Sequence, residues 1–330
     1  MLVVPLILLS CLGFAVEVND EVLRNGWWNE TAQKEYREKF PNKYPDVELL
    51  VRKMRKEIEV KPFDGVVVFR PNDSDERFTV HGAIEGIDLD EDKLRQDILS
   101  FLKTGKPEKI IPKTKPIKSR SESEVISKLG LRGGYTTYFE CNPNREHNIE
   151  LALEKFNGLV IQNGQTVSFN KTVGPRSASR GFREAKIILD GEFVPGIGGG
   201  VCQASTTLFN AVMLAGLTID KSHNHSLAIS YVPIGRDAMV SSGADLVFTN
   251  DTGGAVYIET GLKHASEGRT GSCYVRIYGD KTKVKFKPRV EVAESEDSTQ
   301  ARTYIEAWSG ERLVHSKLVR RSSYKESYPL

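Results

Sequence analysis

The stretch GGGVCQASTTLFNAVMLAG, residues 198–216, decides how this chain is read. Three glycines run into Val201 and Cys202, and a helix pattern follows. Ala204, Leu208, Val212 and Ala215 fall on one face, and Gly216 supplies the stop. A cysteine in the first turn of a helix meets unpaired backbone N–H groups and the positive end of the helix dipole. Both favour thiolate over thiol. Glycines carry no side chain and reach backbone angles closed to other residues, so a substrate backbone can approach closely. Cys202 is therefore a candidate nucleophile, and Gly198, Gly199 and Gly200 are candidate substrate-binding positions. Gln203 or the helix-start amides are candidates to hold an oxyanion.

A thiol nucleophile needs a base. The first histidines after this helix are His223 and His225, in Ser222-His223-Asn224-His225-Ser226. Two apart, they share one side if the segment is a strand. Asp237 follows in Gly235-Arg236-Asp237, and Asp245 lies further on. The order suits a cysteine hydrolase or acyl transferase, with His225 or His223 as base and Asp237 orienting it. Arg236 is a candidate to bind a substrate carboxylate. Two other readings stay open. Cys202, His223 and His225 could ligate zinc with a fourth position free, although no CxxC or HExxH accompanies them. Alternatively, Cys202 packs as a small buried hydrophobe and the glycine loop only binds. No Lys-Ser/Thr follows the glycines in P-loop spacing, so neither a nucleotide, a metal nor another cofactor is expected.

Around this centre the chain divides by composition. It has 330 residues, 39% hydrophobic and 27% charged, a globular balance with room for two or three domains. A net charge of +2 argues against a strongly charged partner such as nucleic acid. Residues 1–16 carry no charge and are too short to span a bilayer as a helix, which takes about 20 residues. They read as an export signal, or as a lipoprotein-like segment through Leu8-Leu9-Ser10-Cys11, although no Lys or Arg precedes the run, as a start further upstream would supply; a buried strand is the alternative. Residues 17–60 read as helical, over Thr31 to Phe40 and Val47 to Ile58. Residues 61–116 form a small ββαβ-like unit. Strands at Val66 to Phe69 and Phe78 to Val80 flank a turn, Asp90 caps a helix, and Ile110-Ile111 is a third strand. Residues 117–132 are a linker. From Lys103 to Arg120 there are seven basic residues and one acid, a solvated stretch or a weak attraction to an anionic wall or membrane surface.

Residues 133–280 form the main domain, α+β with a mainly antiparallel sheet and packed helices. Its elements are a strand at Tyr135 to Phe139, a helix capped by Asn144, hairpin turns at Asn163-Gly164 and Asp190-Gly191, and strands at Leu227 to Val232, Leu246 to Thr249, Val256 to Thr260 and Tyr274 to Tyr278. Residues 281–330 add a β-rich extension with a hairpin at Ser309-Gly310. Cys141 and Cys273 sit in strand-like contexts and could pair, leaving Cys202 as the free thiol.

Residues Gly198 to Ala211 resemble the central motif of the VanW family. Further resemblances run in order: Tyr135 to Phe139, Arg145 to Ile149, Ser168-Phe169-Asn170, Val173-Gly174-Pro175-Arg176, His223 to Ser226, and Tyr231-Val232-Pro233 through Asp237. Residues 61–116 more loosely resemble the peptidoglycan-binding domain that often precedes this one, and Thr303 to Tyr324 the β-rich ends of such proteins. Glu140-Cys141-Asn142-Pro143 departs from the small polar residues of the pattern, which removes Cys141 from any shared role. The resemblance implies an envelope location, a link to glycopeptide resistance, and peptidoglycan or its peptide stems as partner. It implies no settled reaction.

Overall fold

The computed structural model describes residues 47–104, 112–189, 192–266, 269–295 and 297–325. The expected signal at 1–16, the helix at Thr31 to Phe40, the strand at Ile110-Ile111 and the Asp190-Gly191 turn lie outside them. The described residues form two compact units, one drawn from 47–66 with 80–104 and 112–122, the other from 67–79 with those from 123 to 325.

In the smaller unit, α1 (Val47–Ile58) buries Val51, Met54 and Ile58, and packs against α2 (Glu91–Thr104), which buries Leu94 and Ile98. The helix assigned to a separate segment thus belongs to this core. The Asp90 carboxylate accepts from the Lys93 N–H at 3.2 Å and caps α2 as expected. Strand β3 (Gly86–Leu89) pairs with β4 (Thr114–Ile117) in this unit, while β1 (Val66–Phe69), which pairs with β2 (Phe78–His81), falls mostly in the 67–79 segment of the other.

The larger unit is α+β. The supposed linker is structured: it holds α3 (Glu122–Ser127) and the start of β5 (Leu129–Phe139). Strand β5 pairs antiparallel with β13 (Gly271–Asp280), which pairs with β12 (Val256–Lys263), which pairs with the short β6 (Val160–Ile161). Helix α4 (Pro143–Glu154) and the central α6 (Val201–Ala215) pack on one another and on this sheet. Every residue of α6 except Cys202 and Leu214 is buried, as suits a helix walled in on all sides. Between them lie β7 (Thr166–Ser168), the one-turn α5 (Phe169–Val173), and the hairpin β8 (Glu184–Leu189) and β9 (Glu192–Ile197). Strands β10 (Thr218–Lys221), β11 (Val247–Thr249) and β7 form a second sheet, and β14 (Val284–Glu294), β15 (Ser298–Ser309) and β16 (Arg312–Lys325) a third.

Several local expectations change. Asn142 rather than Asn144 caps α4: its side chain accepts from the Arg145 N–H at 3.0 Å, while Asn144 donates to the Glu184 carbonyl. Pro143 then takes the first helical position, where a missing N–H is no loss. Asn163-Gly164 does not join a hairpin; β6 and β7 go to different sheets. Leu227 to Val232 forms no strand and touches β16 only through a bridge at Leu227. Cys141 and Cys273 are not bonded to one another. Both are free thiols, Cys141 exposed and Cys273 buried against Thr137 Oγ1 at 3.2 Å.

Candidate active site

The site begins with the entry to α6. Gly200 has φ of 108°, a left-handed position that favours glycine, and Gly198 has φ of 86°. A Cβ on Gly199 would lie 2.6 Å from the Lys186 carbonyl oxygen. All three glycines are buried. The absent side chains therefore admit the protein's own β8 and α4, rather than a substrate, and lock the first turn in place.

This corrects the glycines as substrate contacts, and Gln203 changes in the same way. Gln203 is 1% exposed; its amide donates to Thr137 Oγ1 and the Tyr138 carbonyl and accepts from Arg145 Nη2. Nothing of it remains for an oxyanion. The Cys202 N–H does remain: it has no acceptor among the described residues, and the Gly199 carbonyl is taken by Asn148.

Ser205, Thr206 and Asn210 of α6 share one purpose. The extended segment 236–240 runs antiparallel along the helix, and the helix side chains hold its backbone. Asn210 donates to the Arg236 carbonyl at 2.8 Å, Thr206 accepts from the Ala238 N–H at 2.9 Å, and Ser205 donates to the Ala238 carbonyl at 2.5 Å. Cys202 Sγ lies 3.5 Å from the Val240 carbonyl oxygen. Four helical residues rise about 6 Å and two extended residues about 6.6 Å, so the two chains stay in register over two turns.

That register places Asp237, and Asp237 places His225. The Asp237 Oδ2 atom accepts from the His225 backbone N–H and sits 2.7 Å from its Nδ1. His225 and the Cys202 thiol lie close enough for each to act on the ionisation of the other. Burial alone would push that thiol up; the His225 imidazole, backed by the Arg176 charge, outweighs it and holds the thiol below its ordinary value. Burial likewise opposes the imidazolium, but Asp237 and the thiolate raise His225 to about 9. For Asp237, the bond from His225, the Arg320 charge and the Tyr324 hydroxyl overcome burial and keep its carboxyl below the usual range. Each group thus favours the charged form of the other, thiolate beside imidazolium.

His223 is elsewhere. Its backbone carbonyl accepts from the Met239 N–H, and its Nε2 is buried with no partner among the described residues. The segment is irregular rather than a strand, so the two histidines do not share a face. No group of three His, Cys, Asp or Glu gathers as metal ligands among the described residues, so the zinc set is not assembled. Arg236 also leaves the site: it bonds Asn210 and lies over the Tyr135 ring, two helical turns from Cys202.

The sequence reading missed two groups of residues. Arg176 sits near enough for its charge to act on Cys202. From the C-terminal sheet, Tyr324 donates to Asp237 Oδ1 at 2.6 Å and Arg320 at 3.2 Å. Burial and Asp237 hold the Tyr324 phenol at about 12, so it stays a donor. Ser226 and Asn224 bond the backbone of β16, which fixes the His225 loop. The period-two burial of Arg320, Ser322 and Tyr324 was the available signal, but it does not say what they face.

A central helix that starts at a cysteine, with a buried histidine–aspartate pair across from it, defines a cysteine–histidine–aspartate site on an α+β domain. Residues 144–270 match the protein family described as VanW like protein, so the chain carries a VanW-like domain. It is 42% identical over 148 residues, 44% of this chain and 49% of the relative, to the "Uncharacterized protein YoaR" of Bacillus subtilis (strain 168). It is 32% identical over 115 residues, 33% of this chain and 42% of the relative, to the "Vancomycin B-type resistance protein VanW" of Enterococcus faecalis (strain ATCC 700802 / V583). The chain thus spans about half the length of the curated relatives it matches. No solved structure matches it. The preceding peptidoglycan-binding-like domain has no counterpart in these matches.

Proposed function

We propose that this VanW-like domain is a cysteine acyl transferase or amide hydrolase that acts on peptide stems of peptidoglycan outside the cytoplasm. One observation carries the chemistry: Asp237 Oδ2 lies 2.7 Å from His225 Nδ1, and that imidazole is near enough to Cys202, in the first turn of a helix, to favour its thiolate. The Cys202 thiolate attacks an amide carbonyl carbon, and the Cys202 N–H donates to the oxyanion that develops. The C–N bond breaks as the His225 imidazolium gives its proton to the leaving amine, which leaves a thioester. Water or a second amine then attacks the thioester; His225 takes the proton, and acid or new amide departs with the thiolate restored. Asp237 holds the ring orientation throughout.

The substrate and location rest on other grounds. One relative is named for vancomycin B-type resistance, and residues 1–16 read as an export segment. Both favour the cell envelope and a role connected with glycopeptide resistance. Purified peptidoglycan and its fragments, incubated with the whole chain, should yield new amine or cross-linked products by mass spectrometry. Cys202→Ser and His225→Ala should remove them with melting temperature retained. If wild type releases and joins nothing while Cys202→Ser binds the wall normally, the domain is a binding module.

A further inference from the structure

Arg176 is the one charged group beside the thiol that the catalytic cycle above leaves unused. Its stem passes the glycine turn: a Cβ on Gly198 would lie 3.2 Å from Arg176 Cβ. Its Nη2 donates to Asn170 Oδ1. Asn170 is itself fixed, with Nδ2 donating to the Ser241 and Ala244 carbonyls at 2.9 Å each and its backbone N–H to Asp245 Oδ1 at 2.9 Å. Ser241 directly follows Val240, whose carbonyl lies 3.5 Å from Cys202 Sγ. Neighbouring residues are about 3.8 Å apart along the chain. A single peptide unit therefore separates the clamp on the arginine from the nucleophile.

This guanidinium has no carboxylate of its own, although the Cys202 sulfur acts on it. Asp245, the nearby acid, spends one oxygen on Ser168 Oγ at 2.5 Å and the other on the Asn170 N–H. No carboxylate lies within ion-pair distance of Arg176 among the described residues, and its Nε is buried without an acceptor. Arg320, on the other side of the site, has Asp237. A partly buried, rigidly held arginine without a carboxylate is an incomplete pair, and its planar fork fits a carboxylate in two-point contact. Cys202 and Arg176 are both partly exposed, so one ligand can reach both.

We infer that Arg176 receives a carboxylate of the substrate, so that the site selects an acyl chain with a free carboxylate close to the bond Cys202 attacks. The inference rests on the function proposed above and names its substrate class. That carboxylate can be a chain terminus or an acidic side chain.

The test needs no known substrate. Cys202 of the whole chain is alkylated at neutral pH with iodoacetate, which is anionic, and iodoacetamide, which is neutral, and labelling is read by peptide mass mapping. Wild type should favour iodoacetate roughly tenfold more than Arg176→Gln does, the effect of one partly buried charge a few ångströms away. Arg176→Lys should keep most of the preference, and added salt should erode it in wild type. A wild-type preference no greater than that of free cysteine, or one unchanged in Arg176→Gln, overturns the inference while fast alkylation leaves the nucleophile standing. Slow reaction with both reagents removes the nucleophile and the inference together. N-acetyl-dialanine should protect Cys202 and its C-terminal amide should not, if a terminus is read. A dipeptide amide with a glutamate side chain protects if a side chain is read. Protection by none of them counts against the carboxylate.

Discussion

Tyr324, in the last strand, donates its hydroxyl to Oδ1 of Asp237, 87 residues earlier, at 2.6 Å. The same hydroxyl accepts from the Gly235 N–H at 3.0 Å, and Arg320 reaches the Gly235 and Asp237 carbonyls. Two strand residues thus grip both ends of the turn that carries the acid. Tyr324→Phe leaves the fold of β16 but strips one donor from a buried carboxylate. We expect a loss of about 1–3 kcal/mol in stability by urea unfolding. A change below a few tenths would show that the bond carries no weight.

Asp237→Asn removes the negative charge that sustains the imidazolium. His225 should fall from about 9 towards the ordinary histidine range. A neutral ring then no longer holds the thiolate, so the Cys202 thiol should rise. The histidine C2-proton titration and the pH dependence of iodoacetamide labelling should move in opposite directions. A labelling midpoint that stays put would mean that Asp237 does not act through His225.

Stability should respond to pH in a way particular to a charged pair. The raised His225 contributes in full below about 6.5, and this is lost as pH rises through about 9. The lowered Cys202 contributes in full above about 8.5, and this is lost as pH falls through its folded value. Where the folded thiol has already ionised and the ordinary thiol has not, folding only moves a proton from sulfur to ring, so the pair's contribution should be level. Unfolding free energy of wild type minus Cys202→Ser, followed across pH, should show a plateau that declines on both sides. A difference that climbs steadily through this window would exclude the ion pair.

Gly199→Ala tests the glycine turn as packing. Its added methyl would meet backbone atoms of Ala185 and Lys186 at 2.6–2.7 Å, and a strand backbone cannot swing aside as a side chain can. We expect a loss of roughly 1–3 kcal/mol, together with slower Cys202 labelling as the first turn shifts. Retained stability would return Gly199 to the role of an open substrate wall.

Local signals gave the helix at 201–215, its Gly216 stop and the last hairpin, because each follows from residues within a turn or two of one another. Asn144 was preferred as a cap because it stands nearer the apolar face, but Pro143 at the first helical position requires the cap one residue earlier. Leu227 to Val232 has a strand's composition, yet it forms no ladder and meets β16 through a bridge at Leu227. Gln203 looked like an oxyanion donor because it follows the nucleophile; a helix turns by about 100° per residue, and that rotation aims it into β5. Arg320 and Tyr324 were out of reach because no pattern within one strand names a partner more than eighty residues away.

The reach of β16 into the site also concerns time. A chain growing from its N-terminus has its thiol, its histidine and its acid long before it has Tyr324. Until that strand arrives, Asp237 lacks two of its donors and the His225 loop lacks the backbone of Ser323 and Lys325 to lean on. The sulfur should then behave as an ordinary thiol, and its reactivity should mature only when the final hairpin closes. A fragment trimmed to residues 144–270 would stop permanently at that immature stage, with every reacting side chain present but without the strand that braces Asp237 and the His225 loop.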